Sequence, residues 1–219
     1  MPVAVARSRT KAAHEKSRSG TRALEVLLTT IDDYDTYTGG HSDRVASLSE
    51  HIARLLGLSF ATMELVKRAA FVHDIGKIFI PDSIVQKPGS LTPEEREVVE
   101  QHPVLGARML ARRPAMSDLA SIVLHHHERW DGQGYPDGLA GTKIPIESRI
   151  IFVADAFDAM TSERPYGQVF GYKEAGAELR RCSGADFDPQ VVRAMRLALS
   201  SGSLRQAEDQ ALGALAGAE

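Results

Sequence analysis

The stretch from Phe71 to Asp82, F-V-H-D-I-G-K-I-F-I-P-D, sets an imidazole and a carboxylate, His73 and Asp74, side by side inside an otherwise apolar run. Lys77 follows one helical turn after His73. A charged cluster in such a setting is costly unless something compensates it, so whatever fold the chain adopts must bring partners to this segment. A divalent metal ion would compensate it, because imidazole nitrogen and carboxylate oxygen are its usual ligands. The alternative is a His-Asp pair that caps a helix end and hydrogen-bonds locally. The two readings separate on whether further ligands exist elsewhere in the chain.

The rest of the chain limits the partners. A net charge of −3 gives no general attraction to nucleic acid or to an anionic membrane, so affinity for a phosphate-bearing ligand must come from a local site. The single cysteine, Cys182, excludes an internal disulfide and a multi-cysteine zinc site and fits a reducing compartment. No apolar run approaches the roughly 18 to 20 residues of a membrane span. At the N-terminus the basic residues follow a short apolar run, the reverse of a secretory signal. A cytoplasmic protein is expected.

Apolar spacing predicts an all-α chain with one domain over residues 21–199, flanked by a flexible tail over 1–20 and an Ala-rich tail over 200–219. A first helix is expected from about Thr21, with Leu24, Leu27, Leu28 and Ile31 on one side. A second runs from Ser42 to Gly57 and starts beside His41, with His51 beside its apolar stripe. A third, from about Ala61, is expected to deliver His73 and Asp74 near its C-terminal end, with Gly76 and Pro81 closing it. Thr92, Pro93 and Glu95 form a capping box for a helix expected to present Val98, Val99, His102, Leu105 and Met109 along one side. Another, from about Ser117, ends in His125, His126, His127 and Glu128 at the turn-rich loop W-D-G-Q-G-Y-P-D-G. Residues 138–146 are the one place where a small hairpin is expected, after which Ser148 caps a helix carrying Asp155 and Asp158. Two more helices are expected near Tyr172–Arg181 and Pro189–Leu199, the second capped by Asp188. His14 lies in the N-terminal tail and has no expected ligand role.

His41, His73, Asp74, His102, His126, His127 and Asp155 thus fall at helix ends or on inward helix faces. Singly, each reads as a core or capping residue; together they exceed what a core needs. Their order, H…HD…H…HH…D, followed by Gly134-Tyr135-Pro136, resembles the HD-GYP family, a branch of the HD-domain metal-dependent phosphohydrolases. The resemblance runs from about Thr21 to Leu199 and includes H-D-I-G-K at 73–77, H-H-E-R-W-D-G-Q-G-Y-P at 126–136 and V-A-D-A-F-D-A-M-T-S-E-R-P-Y at 153–166.

The resemblance implies a helical bundle with a binuclear metal site at its centre. It also implies hydrolysis of cyclic di-GMP to the linear dinucleotide pGpG, in some members on to GMP, by metal-activated hydroxide. In that pattern His41, His73, Asp74 and Asp155 hold one ion. Asp74, His102, His126 and His127 hold the other, with Asp74 as the bridge and iron or manganese as the metal. Lys77 would add positive charge to the transition state, its alternative being an ordinary pair with a nearby carboxylate. Arg164 resembles the family's phosphate-contacting arginine, its alternative being a structural ion pair. Gly134, Tyr135 and Pro136 are expected to form a tight surface turn with no direct chemistry.

The chain departs from the pattern at two positions. Tyr37 stands where some members carry a glutamate that recruits a third metal, so two ions are expected. Gly167 stands where many carry a lysine or arginine that helps hold the substrate phosphate, which bears on substrate affinity and identity. Two other functions remain open: a catalytically inactive, metal-bound module that binds a partner such as a diguanylate cyclase, and a phosphodiesterase for another cyclic dinucleotide. No sensory or receiver domain is visible, so regulation is expected from a partner protein or from oligomerisation, a homodimer being compatible with the sequence.

Overall fold

Gly40 takes a φ of +76°, a left-handed conformation suited to glycine, and the chain enters α1 (His41–Leu55) directly behind it. The structure is a computed structural model that describes residues 40–162 and 169–201. The helix expected from Thr21, Tyr37, Arg164, Gly167, the N-terminal tail and residues 202–219 of the C-terminal tail lie outside the described residues.

Val45, Ser49, Ile52 and Ala53 are buried on α1, and the helix closes before Gly57, whose φ is +71°. Ser59 accepts a hydrogen bond from the Thr62 backbone N–H and starts α2 (Phe60–Phe71), which buries Val66, Ala69 and Ala70. α2 ends earlier than the sequence spacing predicts. His73 and Asp74 lie in the turn beyond it, and Gly76 belongs to a separate 3-10 helix, Ile75–Phe79. A short α3 (Asp82–Val85) follows.

The capping box is present as expected: Thr92 and Glu95 satisfy each other's backbone N–H groups at the start of α4 (Pro93–Val99). The expected single helix through Met109 is instead broken, and α5 (His102–Ala111) begins anew. Pro103 has no N–H to offer the Val99 carbonyl four residues earlier. That carbonyl accepts from the His102 ring at 2.8 Å instead. A 3-10 turn, Ser117–Leu119, leads into α6 (Ala120–Leu124), and His125 to His127 lie beyond the end of α6.

The expected hairpin over 138–146 does not form. The segment holds a 3-10 helix, Gly141–Lys143, and among the described residues no strand occurs, only an isolated bridge between Ser183 and Phe187. Its turn-rich composition suits the 3-10 helix. α7 (Ile146–Thr161) begins two residues before Ser148. That serine is not its cap; it is fully buried and donates to the Ile122 carbonyl at 2.8 Å, tying α7 to α6. α8 (Tyr172–Arg181) and α9 (Pro189–Ser200) follow, and Asp188 caps α9 as expected by accepting from the Gln190 N–H.

α1 packs against α2, α7 and α9, while α5 packs against α6 and the 3-10 helix at Ile75–Phe79. Ile52, Val66, Ile75, Leu110, Val123, Ile151, Phe157 and Met195 form the shared core, each at most 2% exposed. The start of α1, the turns after α2 and α6, the start of α5 and the middle of α7 bring their polar side chains close to one another. No helix among the described residues is long and apolar enough to cross a membrane.

Candidate metal centre

Three of the converging histidines are fixed by one device, used at three places. His73 Nδ1 lies 2.6 Å from the Ala70 carbonyl, His102 Nδ1 lies 2.8 Å from Val99 and His126 Nδ1 lies 2.6 Å from Val123. A carbonyl oxygen only accepts, so each Nδ1 carries the proton. Each Nε2 is therefore the lone-pair nitrogen of the neutral ring, and the ring orientation is set by a carbonyl at a helix end or break.

The lone pairs converge. His102 Nε2 and His126 Nε2 face each other at 3.3 Å, and His73 Nε2 is buried with no hydrogen-bond partner. Burial, followed by the neighbouring imidazoles, holds the pKa of His126 well below the ordinary value. Burial, followed by the neighbouring His102 imidazole, lowers that of His127 to about 3. A cluster of neutral, proton-poor nitrogens aimed at one another inside a protein is a cost unless a cation satisfies them.

Asp74 straddles this cluster. Its Oδ1 lies 3.2 Å from His102 Nε2, and its Oδ2 lies 3.4 Å from His73 Nε2 and 2.6 Å from Lys77 Nζ. Burial alone pushes the Asp74 carboxyl up, but the Lys77 charge and the neighbouring His73 and His102 imidazoles outweigh it and hold the group well below the usual carboxylate range. Two groups of candidate ligand atoms result, each mutually within 4.8 Å: Asp74, His102, His126 and His127 in one, His41, His73 and Asp155 in the other. His41 Nε2 sits 3.4 Å from Asp155 Oδ1, and His73 Nε2 sits 4.0 Å from the same atom. All seven residues expected from the sequence are thus brought together, and Lys77 joins them through Asp74.

Several residues of the site carry no assigned role in the sequence reading. Asp158, 3% exposed, accepts from His41 Nδ1 at 2.7 Å and from Arg44 at 2.6 and 3.1 Å. Burial raises its pKa, but the bonds from His41 and Arg44 prevail and bring it to about 2. The signal was its i,i+3 spacing from Asp155, which puts both carboxylates on one face of α7. His41 is also set by opposed effects: burial lowers its pKa, while the bond to Asp158 and the charges of Asp155 and Asp74 raise it above the ordinary value.

The Gly134-Tyr135-Pro136 turn is less detached than expected. The Tyr135 ring stacks on His127 with centroids 5.0 Å apart and planes 30° apart. Burial, then the charge of Glu100, pushes the Tyr135 phenol up, so it stays neutral. A Cβ on Gly134 would overlap the Arg129 backbone nitrogen and lie 2.6 Å from the Glu128 Cα, so only glycine lets the loop double back this closely. Glu128, 1% exposed, clamps the same loop by accepting from the Asp137 N–H at 2.8 Å and the Leu139 N–H at 3.1 Å. His125, whose Nδ1 donates to the Ser121 carbonyl, completes the clamp with Nε2 3.0 Å from Asp137. Glu128→Gln would turn one acceptor into a donor facing a backbone N–H. It is expected to cost about 1–3 kcal/mol in urea denaturation of the metal-free protein. Unchanged stability would show that the two bonds do not hold the loop.

The HD-domain family model matches residues 25–191. Among similar curated proteins, the cyclic di-GMP phosphodiesterase of Thermotoga maritima is 47% identical over 173 residues, covering 78% of this chain and 47% of that protein. The cyclic di-GMP phosphodiesterase response regulator RpfG of Xanthomonas campestris pv. campestris is 42% identical over 174 residues, covering 78% and 46%. The 3'3'-cGAMP-specific phosphodiesterase 2 of Vibrio cholerae is 38% identical over 168 residues, covering 76% and 32%. The chain spans less than half the length of these curated relatives. Among solved structures, the cyclic GMP-AMP phosphodiesterase V-cGAP3 of V. cholerae superposes with a TM-score of 0.64 at 22% identity, covering 83% of this chain and 49% of that one. The HD domain of the L. monocytogenes phosphodiesterase PgpH gives 0.58 at 22% identity, covering 84% and 97%. At these identities the two structures establish a shared fold.

Proposed function

Because the chain belongs to the HD-domain family, in keeping with the HD-GYP branch that its motifs resemble, we propose that it is a metal-dependent phosphodiesterase that opens cyclic di-GMP. The observation that carries the reading is the convergence of seven side chains into two candidate ligand groups on either side of one carboxylate, Asp74. His41, His73 and Asp155 would hold one divalent ion, His102, His126 and His127 the other, and Asp74 both. When bound, such a pair of ions supplies Lewis acidity and a nucleophilic hydroxide at neutral pH.

The chain's own residues do the rest. The carbonyls of Ala70, Val99 and Val123 keep three imidazoles in the tautomer that presents Nε2. Tyr135 holds the His127 ring face-on. Lys77 is in the reading a cation beside the phosphodiester, its ammonium held at the site by Asp74. Arg164 is proposed as a second phosphate contact. Relatives that act on cyclic di-GMP and on 3'3'-cGAMP both resemble this chain, so the substrate class is a cyclic dinucleotide and cyclic di-GMP its proposed member. No candidate ligand is missing from the sequence, and so nothing favours a purely non-catalytic module.

The test is product analysis with metal content measured on the same sample. The protein is loaded with Mn²⁺ in air or with Fe²⁺ anaerobically and given cyclic di-GMP or 3'3'-cGAMP in parallel. Two ions per chain and release of pGpG are expected. Three tightly bound ions would overturn the binuclear count, cleavage of 3'3'-cGAMP alone would overturn the substrate, and no cleavage of either would overturn the reading.

A further inference from the structure

We propose that Asp158 is a positioning residue for the ion held by His41, His73 and Asp155, and that it makes the two ion positions unequal; this rests on the binuclear reading above. His73, His102 and His126 each donate Nδ1–H to a backbone carbonyl three residues earlier. His41 is the first residue of α1 and meets a buried carboxylate instead, Asp158 Oδ2 at 2.7 Å. A charge-assisted bond of this kind is stronger than one to a carbonyl and makes the opposite ring nitrogen a better donor to metal.

The arrangement guards one specific failure. A neutral His41 has two tautomers, and the one protonated at Nε2 would aim its N–H at Asp155 Oδ1, 3.4 Å away. That state removes two donor atoms from the same ion position at once, the His41 lone pair and the Asp155 oxygen. Asp158 opposes it by taking the proton at Nδ1. Asp158 is itself held in a fixed plane by Arg44, three residues after His41 on α1, whose Nε donates to Oδ1 at 2.6 Å and whose terminal nitrogen donates to Oδ2 at 3.1 Å. The fork also balances the buried charge, so orientation of His41 adds no unpaired anion to the cluster. The ring thus reads the position of α7 through Asp158 and transmits it to one ion position only, because no residue of the His102, His126 and His127 group bonds Asp158 among the described residues.

The experiment is Mn²⁺ titration of the metal-free full chain by calorimetry, with EPR at each stoichiometry. The parent is expected to take two ions and to show the spin-coupled signal of a pair. Asp158→Ala is expected to bind one ion about 10- to 100-fold more weakly, leaving the other within about threefold, so that the signal at one equivalent is that of isolated Mn²⁺. Asp158→Asn, which keeps the shape and an oxygen acceptor for Nδ1–H, should fall between the two and carries the test where the alanine variant does not fold. Combining Asp158→Ala with Asp155→Ala should add little, whereas combining it with His127→Ala should weaken both ions. A folded Asp158→Ala protein that binds both ions as the parent does, or loses both equally, overturns the proposal. A parent that binds two ions but cleaves no cyclic dinucleotide overturns the functional reading and leaves this one standing; a parent that binds none overturns both.

Discussion

Asp74→Ala is expected to remove both divalent ions and to lower cyclic di-GMP turnover on the order of 10³-fold or more, the scale on which loss of a central charge-stabilising group acts. Asp74 presents one carboxylate oxygen to each candidate group: Oδ1 lies beside His102 and Oδ2 beside His73. Without it His102, His126 and His127 are left with no carboxylate in their group to offset the charge of a bound cation, while His41 and His73 keep only Asp155. Asp74→Asn is the sharper version, since it keeps the volume and removes only the charge. Both variants should keep the far-ultraviolet circular dichroism of the parent, because Asp74 lies in a turn between helices and its backbone N–H is not a rung of α2. Metal content after gel filtration and turnover at saturating Mn²⁺ are the readouts. Retention of two ions, or of more than about a tenth of the parent rate, would show that Asp74 is not the shared residue.

The seven candidate ligands were legible in the sequence because their chemistry stands out against apolar surroundings, and because the order H…HD…H…HH…D is specific even where each residue alone is not. Helix starts were also legible where they are written in local chemistry. Thr92 with Glu95, and Asp188 with Pro189, act within one turn of themselves. What the sequence did not give was where helices stop. α2 stops before His73, whose ring nitrogen takes the Ala70 carbonyl that the next helical N–H would have taken, and α4 stops before His102, whose ring nitrogen takes the Val99 carbonyl that Pro103 leaves without an N–H. At His102 the cause is Pro103, which is visible in the sequence but carries no weight in a reading based on apolar spacing. Asp158 and Glu128 escaped assignment for a different reason. Their partners, His41 and Arg44 for one and the backbone of residues 137 and 139 for the other, become neighbours only through tertiary packing.

Gly76→Ala is expected to be strongly damaging, and its cause lies in space rather than in backbone conformation. Gly76 is absent from the positive-φ glycines, so alanine can adopt its dihedral angles. A Cβ there would nevertheless overlap the His102 carbonyl oxygen and lie 2.7 Å from the Gly106 backbone nitrogen. These are backbone atoms of α5 and have no rotamer to turn aside. Gly106 is the matching contact, its own Cβ position lying 3.2 Å from the Gly76 nitrogen. The two glycines therefore let the 3-10 helix that follows Asp74 lie directly on the helix that begins with His102. Pushing them apart separates Asp74 and Lys77 from His102 in the same movement. A loss of about 3 kcal/mol in urea denaturation is expected from overpacking, together with loss of the ion shared by Asp74, His102, His126 and His127. Gly57→Ala is the control: its φ of +71° is strained for alanine but nothing lies within 4 Å of the added methyl. It should cost about 1–2 kcal/mol and leave metal binding intact. A Gly76→Ala protein within about 1 kcal/mol of the parent, with both ions bound, would show that the close approach of the two backbones is not what positions Asp74.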